Sequence, residues 1–270
     1  MRQGGECMRK YLFLFRFEAK TILRDPMNLF MCLFPLVILA LSSFVFPRVL
    51  PSMNFMEATA MKTGLLIALI MILTMGSFFV GAMATFLLLD HKNEHTLHTI
   101  AATPMGLSGY LTFKMAYVYL LTVLSTLLVL LGTKWLAGDA YRIGNVRMFD
   151  KLGFWKILAF ALSSSLFAPA LSLLQAAFAK NKVEGFAWIK GAGIVALVPI
   201  LLALPAFSGG MQYLLGVFPN FWASKGIITV LYPLPSSADL SYGLYMIIGA
   251  AYNLLILYAA FRFFLKKQQY

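Results

Sequence analysis

Three histidines and a glutamate crowd one short segment of this chain. Residues 87–106 read LLLDHKNEHTLHTIAATPMG and hold His91, Glu94, His95 and His98. His91-Lys92-Asn93-Glu94-His95 spells H-x-x-E-H, the inverted zinc-protease motif. On a helix, His91 and His95 would share one face, and His98 would join His95 at i+3. Two imidazoles for a zinc ion and a carboxylate as general base are what metal-assisted hydrolysis needs. An integral membrane metalloprotease using His91, Glu94 and His95 is therefore one reading. Against it stand the brevity of the match, a loop too short to enclose a cleft, and no downstream carboxylate suited as a further ligand.

The same residues also make a handle. Asn93 can cap a helix, and Glu94 in its first turn suits the positive end of the dipole. Leu97, Ile100 and Ala101 form a small apolar face. Thr103-Pro104 ends the helix, and Gly106 lies beyond it. So short a helix is not stable alone. It needs a surface to dock on.

The elements that must position this segment are hydrophobic. Of 270 residues, 61% are hydrophobic and 12% charged, against about 45–50% and about 25% in ordinary soluble domains. Such a chain fits a bilayer, where a spanning helix takes roughly 20 apolar residues. Six spans are expected, at about 29–50, 64–89, 115–137, 154–179, 186–207 and 240–264. The fold class is then an all-α integral membrane protein, with one transmembrane domain over 1–270. The basic start and first apolar run imitate a signal peptide. The run is too long, and no small-residue cleavage site follows Phe46-Pro47, so it reads as a retained span. Cys7 and Cys32, before and inside that span, do not suit a disulfide framework.

Two segments outside the spans have a pattern of their own. Arg9, Arg16, Lys20 and Arg24 fall within one helical arc of about 80°, opposite Tyr11, Phe15, Ile22 and other apolar residues. A basic amphipathic helix lies in the membrane interface, so an interfacial anchor over about 9–24 is expected, broken at Asp25-Pro26. Before the last span, Gly209-Gly210, Pro219, Pro233 and Pro235 cut the chain into apolar pieces too short to cross. Those pieces suit a re-entrant outer segment, with Phe221, Trp222 and Tyr232 as anchors at headgroup depth.

The net charge of +12 does not call for nucleic acid. Lys and Arg gather at helix ends, where anionic headgroups hold cytoplasmic loops. Six spans put both termini on one side. With that side cytoplasmic, most of the 22 basic residues lie inside. Lys134, Arg142, Arg147, Lys151 and Lys156 are exceptions that the sequence does not explain. No charged residue falls in the middle of an expected span. A charge there costs about 2.5–3.5 kcal/mol and marks an ion path. A voltage sensor is thereby excluded and an ion-coupled carrier disfavoured, leaving a stand-alone carrier as an alternative. Span four is the most polar, through Ser163, Ser164, Ser165, Ser172 and Gln175, and Asn253 marks span six. Ser164, Ser165, Gln175 and Asn253 are the candidate substrate path, although such residues more often cement helix packing.

Glu94-His95-Thr96-Leu97, then Ile100, Thr103-Pro104, Tyr110 and Lys114, resemble the first cytoplasmic loop of type-2 ABC transporter permeases. There the pattern is an acidic residue, Gly-Thr-Leu, a hydrophobic residue, Thr/Ser-Pro, and a Tyr and Lys opening the third span. FRFEAKTILRDPMNLFMCLFPL resembles their elbow helix and first span, and the broken pieces before span six resemble their outer re-entrant region. This chain departs at His95, where Gly is common, and at His98, where an acid is common. The resemblance implies a single permease domain with a cytoplasmic coupling helix over about 94–103. Glu94, Thr96, Leu97, Ile100, Thr103 and Pro104 would fit a groove on a separate ABC ATP-binding subunit. Lys182 and Glu184, in KNKVEG between spans four and five, would make a second contact. It further implies no catalysis and no cofactor on this chain, which has no G-x-x-x-x-G-K-[ST] phosphate loop. ATP and magnesium would sit on the partner. Two permease chains, identical or different, would pair among the lipids of a prokaryotic cytoplasmic membrane. They would move an amphipathic cargo (drug, peptide or lipid-like) outward.

Overall fold

Aspartate followed by proline sets the first boundary. A computed structural model describes residues 14–52, 58–94, 96–143, 146–207, 209–231 and 239–268. Residues 14–24 form helix α1 and Pro26–Ala40 forms α2. Between them Asp25 is extended, and its carboxylate accepts from the backbone N–H groups of Met27 and Asn28. That is an N-cap, and a proline in the first turn sacrifices no bond. A π-helical turn, Leu41–Val45, carries α2 into α3, Phe46–Ser52. Ser42 Oγ lies there 2.6 Å from Thr133 Oγ1, and the Tyr141 hydroxyl donates to the Ser42 carbonyl at 2.6 Å. A π turn loosens the regular bonding ladder, and this phenol takes up a freed acceptor. Burial pushes the Tyr141 phenol above its ordinary pKa, so it stays a donor.

The remaining elements follow in order. They are α4 (Ala58–Asn93), α5 (Thr96–Ala101), α6 (Gly106–Ala137), the strands β1 (Arg142–Ile143) and β2 (Val146–Arg147), α7 (Phe154–Ser164), α8 (Phe167–Phe178), α9 (Lys182–Ala196), α10 (Phe221–Leu231) and α11 (Tyr242–Gln268). Six helical stretches are long and apolar enough to cross a membrane: Pro26–Val49, Gly64–Asn93, Gly106–Ala140, Phe154–Phe178, Lys182–Leu202 and Tyr242–Lys267. They overlap the six expected stretches. The third differs most, starting at Gly106 rather than near residue 115. Gly106 takes φ 65°, the left-handed region open to glycine, and this lets the helix start directly behind Pro104.

Helix α4 is the centre of the bundle. Within an 18-residue apolar stretch of its span 83% of the residues are buried, against 28% in the matching stretches of the first and sixth spans. Around it stand α2, α6, α8 and α9. Its approach to α8 is close: a Cβ on Gly81 would come within 3.2 Å of Ala168 Cα. Lipid gives helices no hydrophobic reason to associate, so small residues that let backbones touch do that work. The fourth span is in two pieces, α7 and α8, because Pro169 has no N–H for the Ser165 carbonyl. Helix α11 covers α7, α8 and α10.

Two expectations change outside the central bundle. Phe221 is fully buried, and the Trp222 indole N–H donates to the Gly216 carbonyl at 2.9 Å. These rings fill the contact of α10 with α11, α7 and α4 rather than sitting exposed as headgroup anchors, because large aromatic area gains most when packed. Tyr232 lies outside the described residues, as does Cys7. Lys225, within the segment expected to be re-entrant, is 1% exposed and pairs with Asp239 at 3.0 Å. The unexplained basic loop also finds partners. Arg142 and Arg147 both reach Asp139, at 3.9 and 2.8 Å, and Lys134 donates to the Leu152 carbonyl at 2.5 Å. The two-residue antiparallel ladder of β1 and β2 holds that loop and is the only sheet among the described residues.

Candidate functional site

Charged side chains in an oily chain need partners, and at one end of the bundle they find them across the whole sequence. The last turn of α4 carries Asp90, His91 and Lys92. Each ties that turn to a different element. Lys92 Nζ donates to the carbonyls of Ala176 and Ala179 at 3.3 and 2.7 Å. A cation thus closes the C-terminus of α8, where the dipole favours it. Asp90 Oδ1 lies 2.6 Å from Lys182 Nζ at the start of α9, and Lys182 also reaches Asp25 Oδ2 at 3.8 Å. His91 Nδ1 lies 3.0 Å from Thr96 Oγ1, and the His91 ring stands edge-on to Tyr110. The Thr96 hydroxyl donates to the His91 carbonyl at 3.1 Å. Its oxygen is then left to accept from a protonated Nδ1.

Behind α5 lies a buried ion pair. Lys114 Nζ is 3.2 Å from Glu18 Oε1, with the side chains 0% and 1% exposed. Tyr110, one turn before Lys114, donates its hydroxyl to the same oxygen at 2.9 Å, and Lys114 donates to Tyr110 at 3.0 Å. The middle of each expected span is free of charge, and this pair lies toward the α5 end of one. Lys114 belongs to the third span because α6 starts at Gly106. Both charges are tolerated because they satisfy one another across α1 and α6. Tyr110 and Lys114 carry the resemblance seen in the sequence, but no motif announces Glu18. Its signal is angular: it lies on the helical wheel opposite exposed Arg16, Lys20 and Arg24, beside buried Ile22. Arg9 lies outside the described residues.

The short helix differs from expectation in its start and in what it offers. Asn93 ends α4 instead of capping α5, because the Glu94 N–H still donates to the Asp90 carbonyl at 2.9 Å. Helix α5 therefore covers Thr96–Ala101 rather than about 94–103. Leu97 is 4% exposed and packs among Leu88, Leu111, Met115 and Leu173. It anchors α5 and is not part of the free surface. Glu94, Thr99, Thr103 and Pro104 are exposed, and Ile100 is partly buried. A cavity of about 410 Å³ opens between α1 and α5, with Phe17, Glu94, Ile100 and Thr103 in its wall. Glu184 accepts from the Lys180 N–H at 2.8 Å, while Asn181 accepts from the Glu184 N–H at 2.9 Å. This reciprocal cap starts α9. Lys182 and Glu184 thus stand at the same end as α5, but both are engaged inside the chain. Val183 between them is 81% exposed, and the sequence reading does not single it out.

Residues 18–261 match the family described as Fluoroquinolones export permease protein Rv2686c-like. The chain belongs to this family. It is 30% identical over 188 residues to the fluoroquinolones export permease proteins MT2760 and Rv2686c of Mycobacterium tuberculosis, strains CDC 1551 / Oshkosh and ATCC 25618 / H37Rv. That match covers 69% of this chain and 66% of each relative, a little under two thirds of their length. No solved structure matches it. The family match opens at Glu18 itself and takes in both ion-pair systems at the α5 end.

In this Rv2686c-like chain the candidate path residues are all inside the bundle. Ser164, Ser165, Gln175 and Asn253 are each buried. Gln175 accepts from the Thr85 hydroxyl at 2.6 Å and donates to the Trp188 carbonyl at 3.4 Å, and Asn253 donates to the Pro219 carbonyl at 3.4 Å. Of the protease-like residues, His91 is committed to Thr96, Glu94 is exposed, and His95 lies outside the described residues.

Proposed function

We propose that this chain is the membrane permease subunit of an ATP-driven exporter, and that a separate ATP-binding subunit docks on the end that carries α5. The hub at the last turn of α4 carries the reading. Through Thr96–His91, Asp90–Lys182 and Lys92–Ala179, a push on α5 reaches the second, fourth and fifth spans together. Through Glu18–Lys114, α1 follows the third. Family membership supports a transport role. Glu94, Ile100, Thr103 and Pro104 offer the contact surface, Thr96 and Leu97 fix α5 to the spans, and Lys182 and Glu184 brace the second contact around Val183. ATP and magnesium reside on the partner.

In this reading Arg16, Lys20 and Arg24 meet inner-leaflet headgroups, together with Arg9, and both termini are cytoplasmic. The segment around α10 is the outer re-entrant piece, and two such chains pair in a prokaryotic cytoplasmic membrane. The cargo is an amphipathic drug of low net charge. The relatives are named for fluoroquinolones, and the buried charges Glu18, Lys114 and Lys225 are each paired. Ser164, Ser165, Gln175 and Asn253 would meet that cargo only when the helices part.

The test is a tagged pull-down from native membranes in mild detergent. A stoichiometric partner with a phosphate loop, lost with Ile100→Asp while the permease stays folded, is the expected outcome. Recovery of the permease without any ATP-binding protein, or undiminished capture by the variant, would overturn the reading.

A further inference from the structure

A crevice of about 380 Å³ lies on the outside of the bundle, between α6, the break joining α7 to α8, and α11. Its depth follows from the helices that line it. At 1.5 Å per residue, Thr112 and Tyr119 lie about 9 and about 20 Å from the α5 end of the third span. Phe261 and Leu254 lie about 9 and about 20 Å from the matching end of the sixth. Leu166 sits about 18 Å from the end of the fourth. Three helices thus place the crevice in the same layer, which fits one leaflet of a hydrocarbon core roughly 30 Å thick.

The wall chemistry decides what can fill it. Two hydroxyls line this space, and each gives its proton to the backbone. Thr112 donates to the Ser108 carbonyl at 2.9 Å and Tyr119 to the Leu162 carbonyl at 3.1 Å. A cargo with several polar acceptors would lose its water there and find no free donor. A hydrocarbon chain needs none. At the rim, Tyr258 is 64% exposed. One turn nearer the α5 end, on the same face of α11, stands exposed Arg262, which forms no ion pair among the described residues. An arginine at that depth extends toward headgroups.

We propose that this crevice binds one acyl chain of an anionic phospholipid, whose phosphate is held by Arg262 and the Tyr258 hydroxyl. With the orientation given above, the lipid belongs to the cytoplasmic leaflet. It wedges between the third and sixth spans at the break in the fourth. The charge at the mouth selects a phospholipid with a net negative headgroup over a zwitterionic one.

The experiment equilibrates the purified protein with vesicles of equal phosphatidylglycerol and phosphatidylcholine, extracts it gently, and weighs it by native mass spectrometry. One retained phospholipid per chain is expected, phosphatidylglycerol favoured several-fold. Ala116→Trp, which fills the crevice, should abolish retention. Arg262→Gln, on the surface, should keep a lipid but bring the preference near one. A wild-type protein without retained lipid, an unchanged preference in Arg262→Gln, or displacement of the lipid by a fluoroquinolone would each overturn the proposal, the last by giving the crevice to cargo. No ATP-binding partner is present, so a failure of the subunit reading leaves this result unaffected.

Discussion

The two ends of this bundle manage charge in different ways. At the α5 end, Glu18 meets Lys114 across 96 positions of sequence, and Lys182 bridges Asp90 and Asp25. Those pairs join elements that no loop connects. At the other end, Asp139 meets Arg142 and Arg147 within its own loop, at exposures of 71%, 48% and 47%. Exposed local pairs contribute little, because water and salt screen them and two long side chains must be held still. A buried pair between distant elements fixes how those elements sit. The first end therefore ties distant spans to one another, and the second holds a loop in shape. Lys225 with Asp239 blurs the contrast, since it is a nearly buried pair away from the α5 hub.

Single substitutions sharpen the comparison. The largest effect belongs to Glu18→Gln or Lys114→Met alone, either of which strands a buried charge and should cost about 3–5 kcal/mol. Thermal unfolding in detergent should show it, and the double variant Glu18→Leu with Lys114→Met should recover most of the loss. Equal losses in the double and single variants would mean that the pair itself is not what matters. Leu97→Ala should follow, at about 2–5 kcal/mol for a core leucine, with earlier proteolysis between α5 and α6. If its unfolding temperature matches the wild type, the anchoring role of Leu97 is wrong.

Smaller effects separate coupling from stability. Asp90→Asn leaves Lys182 with only the longer contact to Asp25. It should cost about 1 kcal/mol or less, yet lower drug efflux in cells well beyond what the lost stability explains. Efflux falling only in proportion to protein level would remove the hub from the mechanism. Asp139→Asn should be the mildest, at about 0–1 kcal/mol with efflux unchanged. A large loss there would erase the difference between the two ends.

Much of the architecture is readable along the chain because a spanning helix satisfies its own backbone within one segment. Run length alone then finds six spans, and Asp25-Pro26 marks a break because a cap and a proline act over a few residues. The basic arc of Arg16, Lys20 and Arg24 is legible for the same local reason. Legibility fails where a choice depends on another element. Residues 87–106 advertise their polar chemistry, but whether His91 holds a metal or Thr96 cannot be read from spacing. Leu97 and Ile100 look like one apolar face, although only Leu97 is fully buried.

By itself, the sequence determined the number of spans, their helical class and the polar segment between the second and third. Those properties rest on the solvation of each segment in turn. Only the tertiary structure decided that Glu18 pairs with Lys114, that Lys182 faces inward to Asp90, and that the serines and amides of the candidate path are packed away. A buried charge takes whichever partner the packing of helices brings within about 3–4 Å, and that proximity is not written in the residues on either side of it.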